Sequence, residues 1–340
     1  MPSHPFQAIS GEIHTLTIDS EALLGNLCGD PTTRTVEVYL PKGWQEMVDL
    51  PLLVDLVGFT GSGPAHTNWK PFAESLPQRL ERLVGEGKMG PVAVAFPDCF
   101  TSLGGNQYID SEATGNWATF LVEEMIPAIE TAFSVGGSPA KRGVFGKSSG
   151  GYGAIAHGML YADVWGAIAV HSGDMGWDRL FMGDFPKAVT ALEKHGGFSG
   201  FLKHIDEGKK VKGEDFHTLM ILAMGASYDP DPANPKGVSL PVDLRTCEMD
   251  MAAWGRWLAW DPVVMVERED VQANLRKLLG IFLDCGAKDQ YHIHYGTRQL
   301  ADRLAELGIE HTHEEFDDTH SSIDYRMDVS LPFLYTALSR

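Results

Sequence analysis

From Pro51 onward, short apolar runs alternate with longer segments of helical periodicity. The runs are Leu52 to Val57, Val92 to Phe96, Gly143 to Phe145, Ala167 to Val170 and Leu279 to Leu283. A strand apolar at nearly every position is buried on both faces, as in a parallel sheet covered by helices. Helices are predicted between the runs, over Pro71–Val84, Asn116–Phe133, Gly150–Leu160 and Thr297–Leu307. This alternation predicts an α/β fold with a doubly wound, mostly parallel sheet. Ahead of it, residues 11–40 read as extended. Thr15 to Ile18 and Thr35 to Tyr39 are rich in β-branched and aromatic residues and bounded by turns, which predicts an antiparallel amino-terminal strand pair.

One stretch breaks the rhythm. Between the runs ending near His171 and starting at Leu279, the chain is far longer than a crossover needs. It includes a helical piece around Lys187–His195 and the proline-rich, acidic Tyr228-Asp229-Pro230-Asp231-Pro232-Ala233-Asn234-Pro235. We expect a single domain over 1–340 with a cap-like insertion at about 173–275 bordering the ligand crevice.

The formal charge is −19, so phosphate backbones and anionic headgroups are repelled, and nucleic acid is not an expected partner. Cys28, Cys99, Cys247 and Cys285 form no C-x-x-C pair. Met1 to Ser10 lacks the basic-then-apolar pattern of a secretion signal, and no apolar run approaches the roughly 20 residues of a membrane span. These readings predict a cytoplasmic protein with reduced thiols and no integral membrane association. A homodimer is the default expectation.

The run at Gly143–Phe145 leads into Gly146-Lys147-Ser148-Ser149-Gly150-Gly151, which contains G-x-S-x-G centred on Ser148. A serine on a sharp strand-to-helix turn lifts its hydroxyl off the sheet's carboxyl edge, and small neighbours avoid clashes in that turn. The Ser149 N–H, at the start of the helix, can donate to an oxyanion. Gly146-Lys147-Ser148 also resembles the end of a phosphate-binding loop, but that motif needs glycine where Lys141 stands.

A serine needs a base, and the base needs an orienting acid; in this strand–turn–helix setting they follow in the order acid, then histidine. Asp289 lies in the loop after Leu279–Asp284, where the acid belongs; Asp284, at the strand end, is the competitor. His311 to Phe316 reads as the next strand, and His320 in the loop beyond it is the expected base. The second oxyanion donor is expected from Gly58-Phe59-Thr60-Gly61-Ser62-Gly63, with Phe59 preferred over Thr60. The pairs His292/His294 and His311/His313 lack the accompanying ligand spacing of a metal centre, so no metal site is expected.

Assembled in order, these residues resemble the Putative esterase family of α/β-hydrolases, which includes enterochelin esterase-like, esterase D-like and feruloyl esterase-like proteins and is related to mycobacterial mycolyltransferases. The resemblance rests on Val38-Tyr39-Leu40-Pro41, on Pro97-Asp98-Cys99-Phe100 through Gly104-Gly105-Asn106-Gln107-Tyr108, and on Glu123-Glu124-Met125-Ile126-Pro127. Gly146–Gly151, Cys285-Gly286-Ala287-Lys288-Asp289 and Thr319-His320 complete it. It implies an α/β-hydrolase fold, a triad of Ser148, Asp289 and His320, and an oxyanion hole at Phe59 and Ser149. Val57 departs from the family's frequent histidine before the oxyanion glycine, and Asp318-Thr319 from its frequent Gly-Gly before the catalytic histidine.

The expected function is therefore a cofactor-free serine carboxylesterase that cleaves a small-molecule ester through an acyl-enzyme. An acyltransferase or thioesterase would use the same triad. A non-catalytic binding protein of this fold is disfavoured because every triad position carries a competent residue. Trp69, Trp117, Lys147 and the segment 227–248 are the expected pocket walls.

Overall fold

The computed structural model describes residues 4–340. Of the segment read for a secretion signal, Met1, Pro2 and Ser3 lie outside the described residues.

Eight strands form one sheet: β1 (Glu12–Asp19), β2 (Thr33–Leu40), β3 (Leu52–Leu56), β4 (Ala93–Pro97), β5 (Arg142–Lys147), β6 (Ala167–His171), β7 (Gly280–Gly286) and β8 (Thr312–Phe316). Their spatial order is β1-β2-β4-β3-β5-β6-β7-β8. As expected, β1 pairs antiparallel with β2, running from Glu12↔Leu40 to Asp19↔Thr33. β2 is also antiparallel to β4, and the six strands from β4 to β8 are mutually parallel. Sheet and flanking helices make an α/β-hydrolase fold.

The apolar strands divide their side chains between two cores, one on each face. Leu53, Val94, Phe145, Ala169 and Phe282 face one; Val54, Ala95, Val144, Ile168 and Leu283 face the other. Alternation is therefore present in these strands, but both faces are covered, so it does not show as a polar–apolar pattern.

Strand order reverses between β3 and β5. From β3 the chain moves outward to β4, then returns to place β5 on the other side of β3. At such a reversal, beyond the carboxyl ends of the strands, open α/β sheets bind their ligands.

Helix boundaries differ from expectation for identifiable reasons. The helix expected from Pro71 begins at Leu76 as α1 (Leu76–Gly85): Ser75 and Gln78 form a capping box, and the fixed φ of Pro77 suits the first turn. The helix expected over Asn116–Phe133 divides into Trp117–Thr119, a π-helical segment Phe120–Met125, and α2 (Ile126–Phe133). Pro127 has no N–H for a regular helical bond, and the wider register accommodates it. α3 (Ser149–Leu160) follows β5.

The excursion between β6 and β7 is mostly helical, with α4 (Phe185–His195), α5 (Gly197–Asp206), α6 (Gly213–Tyr228) and α7 (Met251–Leu258). α6 is buried along most of its length, from Thr218 to Tyr228. Beyond β7, α8 (Ile293–Glu306) starts a turn earlier than expected, with Ile293 buried, and α9 (Met327–Leu338) closes the far face.

Candidate active site

Ser148 sits between the last residue of β5 and the first of α3, with φ 57° and ψ −125°. This is a strained conformation for a residue with a side chain, and it is held by close packing around it. A Cβ on Gly150 would run into the Leu56 carbonyl, and one on Gly146 would stand 2.5 Å from the Gly150 carbonyl carbon. Only glycines let the helix start this close to the sheet. Ser148 is further pinned by its N–H to the His171 carbonyl at 3.0 Å.

The loop after β3 passes over this turn. A Cβ on Gly58 would lie 3.4 Å from Ser148 Cβ. The Tyr108 hydroxyl donates to the Val57 carbonyl at 2.6 Å and fixes the loop's entry. Gly105 packs directly on the Phe59 backbone, where any Cβ would collide, and the Phe59 ring meets Phe216 edge-on with centroids 5.7 Å apart. Phe59 and Ser149 line the same cavity as Ser148. The Ser149 amide, first in α3, has no carbonyl one turn earlier to bind.

His320 stands in the loop after β8, with Nδ1 2.8 Å from Asp289 Oδ2. Its backbone N–H donates to Gln290 Oε1 at 3.0 Å, and the Tyr291 ring meets its imidazole edge-on at 4.9 Å. The other Asp289 oxygen accepts the Tyr291 N–H at 2.8 Å. Burial pushes the Asp289 carboxyl up, but its bonds to His320 and Tyr291 prevail and hold it below the usual carboxylate range. Asp284 serves other partners. It is wholly buried in β7, accepts from His171 Nδ1 at 2.7 Å, and pairs with Arg326 Nε at 2.8 Å.

Ser148, His320, Phe59 and Ser149 line one cavity of about 340 Å³. Leu180, Phe181, Phe216 and Met220, all from the excursion after β6, form its apolar wall. Other lining residues are charged or titratable. Among them are Lys147, His66, whose Nδ1 pairs with the buried Asp55 carboxylate, and Asp324, 3.3 Å from Lys70 Nζ. Burial works against a proton on His66, but Asp55 overrides it and raises the ring above the usual histidine range. Burial lowers the Lys147 ammonium from the usual lysine range.

Beneath Ser148 lies a group the sequence reading missed. Asp174 reaches Ser148 Oγ at 3.4 Å with Oδ1 and Ser149 Oγ at 3.3 Å with Oδ2. Gln107 Nε2 donates to Ser149 Oγ at 2.9 Å, and the Tyr228 hydroxyl donates to Gln107 Oε1 at 2.9 Å. Burial pushes the Asp174 carboxyl up to about 6. Its one sequence signal was position: Ser172-Gly173-Asp174 follows β6 at the carboxyl edge of the sheet. The signal for Asp55 was a carboxylate inside an otherwise apolar strand.

Three expected pocket walls are corrected. Trp117 is fully buried in the core, its Nε1 donating to the Thr114 carbonyl and its ring beneath Arg34. Trp69 is an exposed residue packed against His4. No residue of 227–248 lines the cavity; α6 reaches it earlier, through Phe216 and Met220. Local aromatic content does not indicate which side of an element faces a crevice.

The paired histidines have separate surroundings. His292 and His294 have ring centroids 6.3 Å apart, and His311 Nδ1 bonds the Ile309 carbonyl. Among the described residues, the three-donor group close enough to share an ion is His195, His204 and Asp215, and none of these lines the Ser148 cavity.

The family model described as Putative esterase matches residues 31–330. No curated protein matches the sequence. Among solved structures, a ferulic acid esterase is 18% identical over 97% of this chain and 100% of its own, with TM-score 0.63. An S-formylglutathione hydrolase from Agrobacterium tumefaciens is 15% identical over 98% of this chain and 97% of its own, with TM-score 0.58. FphF, a fluorophosphonate-binding serine hydrolase of Staphylococcus aureus, is 14% identical over 97% and 99%, with TM-score 0.55. At these identities the structural likeness speaks for the fold, and the family match carries the chemistry. The chain belongs to the Putative esterase family and is a serine hydrolase acting on ester bonds.

Proposed function

We propose that Ser148, His320 and Asp289 are a catalytic triad that hydrolyses carboxylic esters through a covalent acyl-enzyme. His320 takes the Ser148 proton as Oγ attacks the ester carbonyl. The Ser149 and Phe59 N–H groups receive the oxyanion. The carbonyl re-forms, the alcohol leaves with the proton from His320, and water drawn on by the same imidazole releases the acid. Asp289 keeps the proton of the resting imidazole on Nδ1, leaving Nε2 free as the base. The observation that carries this reading is the 2.8 Å His320–Asp289 pair, set beside a serine on a strained strand-to-helix turn in the same cavity.

The segment at about 173–275 serves as a cap supplying the apolar substrate wall, and Lys147 and His66 supply the charged one. The substrate is a small-molecule ester, and no step above calls on a cofactor. No described helix is long and apolar enough to cross a membrane. The four cysteines are free thiols, which supports a reducing, cytoplasmic setting.

A fluorophosphonate probe and a p-nitrophenyl butyrate assay test the reading together. The wild-type protein is expected to form a stoichiometric adduct at Ser148 and to turn the ester over. Ser148→Ala is expected to lose both. Wild-type turnover in that variant would refute the assignment.

A further inference from the structure

Among the described residues seven aspartates are buried: Asp55, Asp174, Asp184, Asp215, Asp261, Asp284 and Asp289. Burying a carboxylate is costly unless a cation or several strong donors meet it. Six have such partners. Asp55 holds His66, Asp215 holds His204 at 3.0 Å, and Asp184 holds Lys187 at 2.7 Å. Asp284 has Arg326 and His171, and Asp289 has His320. Asp261 accepts three backbone N–H groups, from Gly176, Trp177 and Val263. Asp174 is the exception: among the described residues its hydrogen-bond partners are the Ser148 and Ser149 hydroxyls, at 3.4 and 3.3 Å, and the His320 imidazole acts on it through space without a hydrogen bond.

The surrounding bonds fix how Asp174 presents itself. Because Gln107 donates to Ser149 Oγ, the Ser149 proton is directed to Asp174 Oδ2. Oδ1 is left beside the nucleophile, and Asp174 lines the cavity near Leu180 and Phe181. The carboxylate is held in place beside the reacting centre, each oxygen meeting one hydroxyl at long range and neither hydrogen-bonded to a cation or a backbone N–H.

We propose that Asp174 is the recognition group for a hydrogen-bond donor, above all a protonated amine, carried on the second carbon of the substrate's acyl group. The inference rests on the reading of Ser148 as nucleophile. An acyl group bonded to Ser148 Oγ has its second carbon two bonds from that oxygen and a substituent three bonds away. Such a substituent falls within hydrogen-bond reach of an oxygen 3.4 Å from Oγ.

The pairing also affects turnover. An ionised Asp174 draws the Ser148 hydroxyl away from His320 and opposes the negative charge that develops on the ester oxygen. A substrate ammonium neutralises that charge and supplies the missing donor, so the right substrate removes an inhibition that a plain acyl chain leaves in place. Burial already pushes Asp174 up to about 6, as expected for a carboxyl short of partners. The apolar wall of Leu180, Phe181, Phe216 and Met220 accommodates the rest of the acyl chain.

The test compares 4-nitrobenzyl esters of butanoic, 2-hydroxybutanoic and 2-aminobutanoic acid at pH 7, with wild type and Asp174→Asn. In wild type, kcat/KM is expected to rise from butanoate through 2-hydroxybutanoate to 2-aminobutanoate, the last exceeding the first by about ten-fold or more. In Asp174→Asn the amino-to-plain ratio is expected to collapse to within about three-fold, whatever the variant's absolute rate. A wild-type ratio near one, or a ratio that survives the substitution, would overturn the proposal. If the variant does not fold, the wild-type ratio is divided by the ratio of the same esters' uncatalysed hydroxide hydrolysis, and a quotient near one overturns the proposal. Fluorophosphonate labelling and butanoate turnover separate the two levels. If both are present without the amino preference, only this inference falls; if both are absent, the triad reading falls with it.

Discussion

Asp289 Oδ2 meets His320 Nδ1 at 2.8 Å, across the gap between the loops that follow β7 and β8. The same carboxylate accepts the Tyr291 N–H, so its orientation does not depend on the histidine alone. Five residues earlier, Asp284 is committed to His171 and Arg326.

The two aspartates should therefore fail differently. Asp289→Asn replaces the carboxylate at His320 Nδ1 with an amide whose NH2 can donate to that nitrogen and favour the wrong tautomer, and kcat on p-nitrophenyl butyrate is expected to fall by about 10³–10⁴. Asp284→Asn leaves Arg326 and His171 unmatched in the interior, so its main effect is a loss of about 3–5 kcal/mol of stability. Steady-state kinetics and urea unfolding on both variants check this. A larger kcat loss in Asp284→Asn would reverse the assignment.

Tyr108 holds the loop after β3 through the Val57 carbonyl, and its hydroxyl is buried. Tyr108→Phe leaves that carbonyl unpartnered at a cost of about 1–3 kcal/mol. The loop also loses its anchor next to Phe59, so kcat is expected to fall about ten-fold with little change in KM. A rise in KM at constant kcat would place Tyr108 in ground-state binding instead.

Asp174 makes stability depend on pH. Its carboxyl titrates at about 6 in the folded protein and at about 3.9 when unfolded. Between these values the folded state keeps a proton that the unfolded state has lost. The stabilising contribution is complete below about pH 4 and is lost as pH rises through about 6. Asp174→Asn cannot titrate there, so its stability relative to wild type is expected to improve by on the order of 2–3 kcal/mol between pH 4 and pH 7. Urea midpoints across that range provide the measurement. A constant difference between the two proteins would mean that Asp174 ionises as freely folded as unfolded.

Phe216 and Met220 bring the α6 end of the excursion to the cavity, and Phe216 braces Phe59. Phe216→Ala is expected to lower kcat/KM for hexanoate by about ten-fold more than for acetate, because the longer chain loses its apolar wall. Equal losses on both esters would indicate that Phe216 acts only by bracing Phe59 in the loop after β3.

Much of this arrangement was legible in the sequence because it is local. The apolar runs from β3 to β7 reported burial on both faces. Gly146, Ser148 and Gly150 marked the strand-to-helix turn, since only glycine admits the Leu56 backbone so closely. Asp289 and His320 followed from their places just beyond strands. Boundaries were harder. Extending β7 to Gly286 is what sets Asp284 inside the sheet and Asp289 outside it. Trp69 and Trp117 show where local reading stops, because an aromatic side chain carries no mark of the surface it will meet.

The sequence by itself determined a doubly wound, mostly parallel sheet and the serine on the strand-to-helix turn. These follow from periodicity and from steric limits within a few residues. Only the tertiary structure decided that Asp284 is committed to His171 and Arg326, which residues wall the cavity, and that a weakly partnered carboxylate lies beside Ser148. Asp174 and Ser148 are far apart in the chain, and Tyr228 and Gln107 farther still. Such contacts are settled by how β6, α3 and α6 pack against one another, and no local pattern records them.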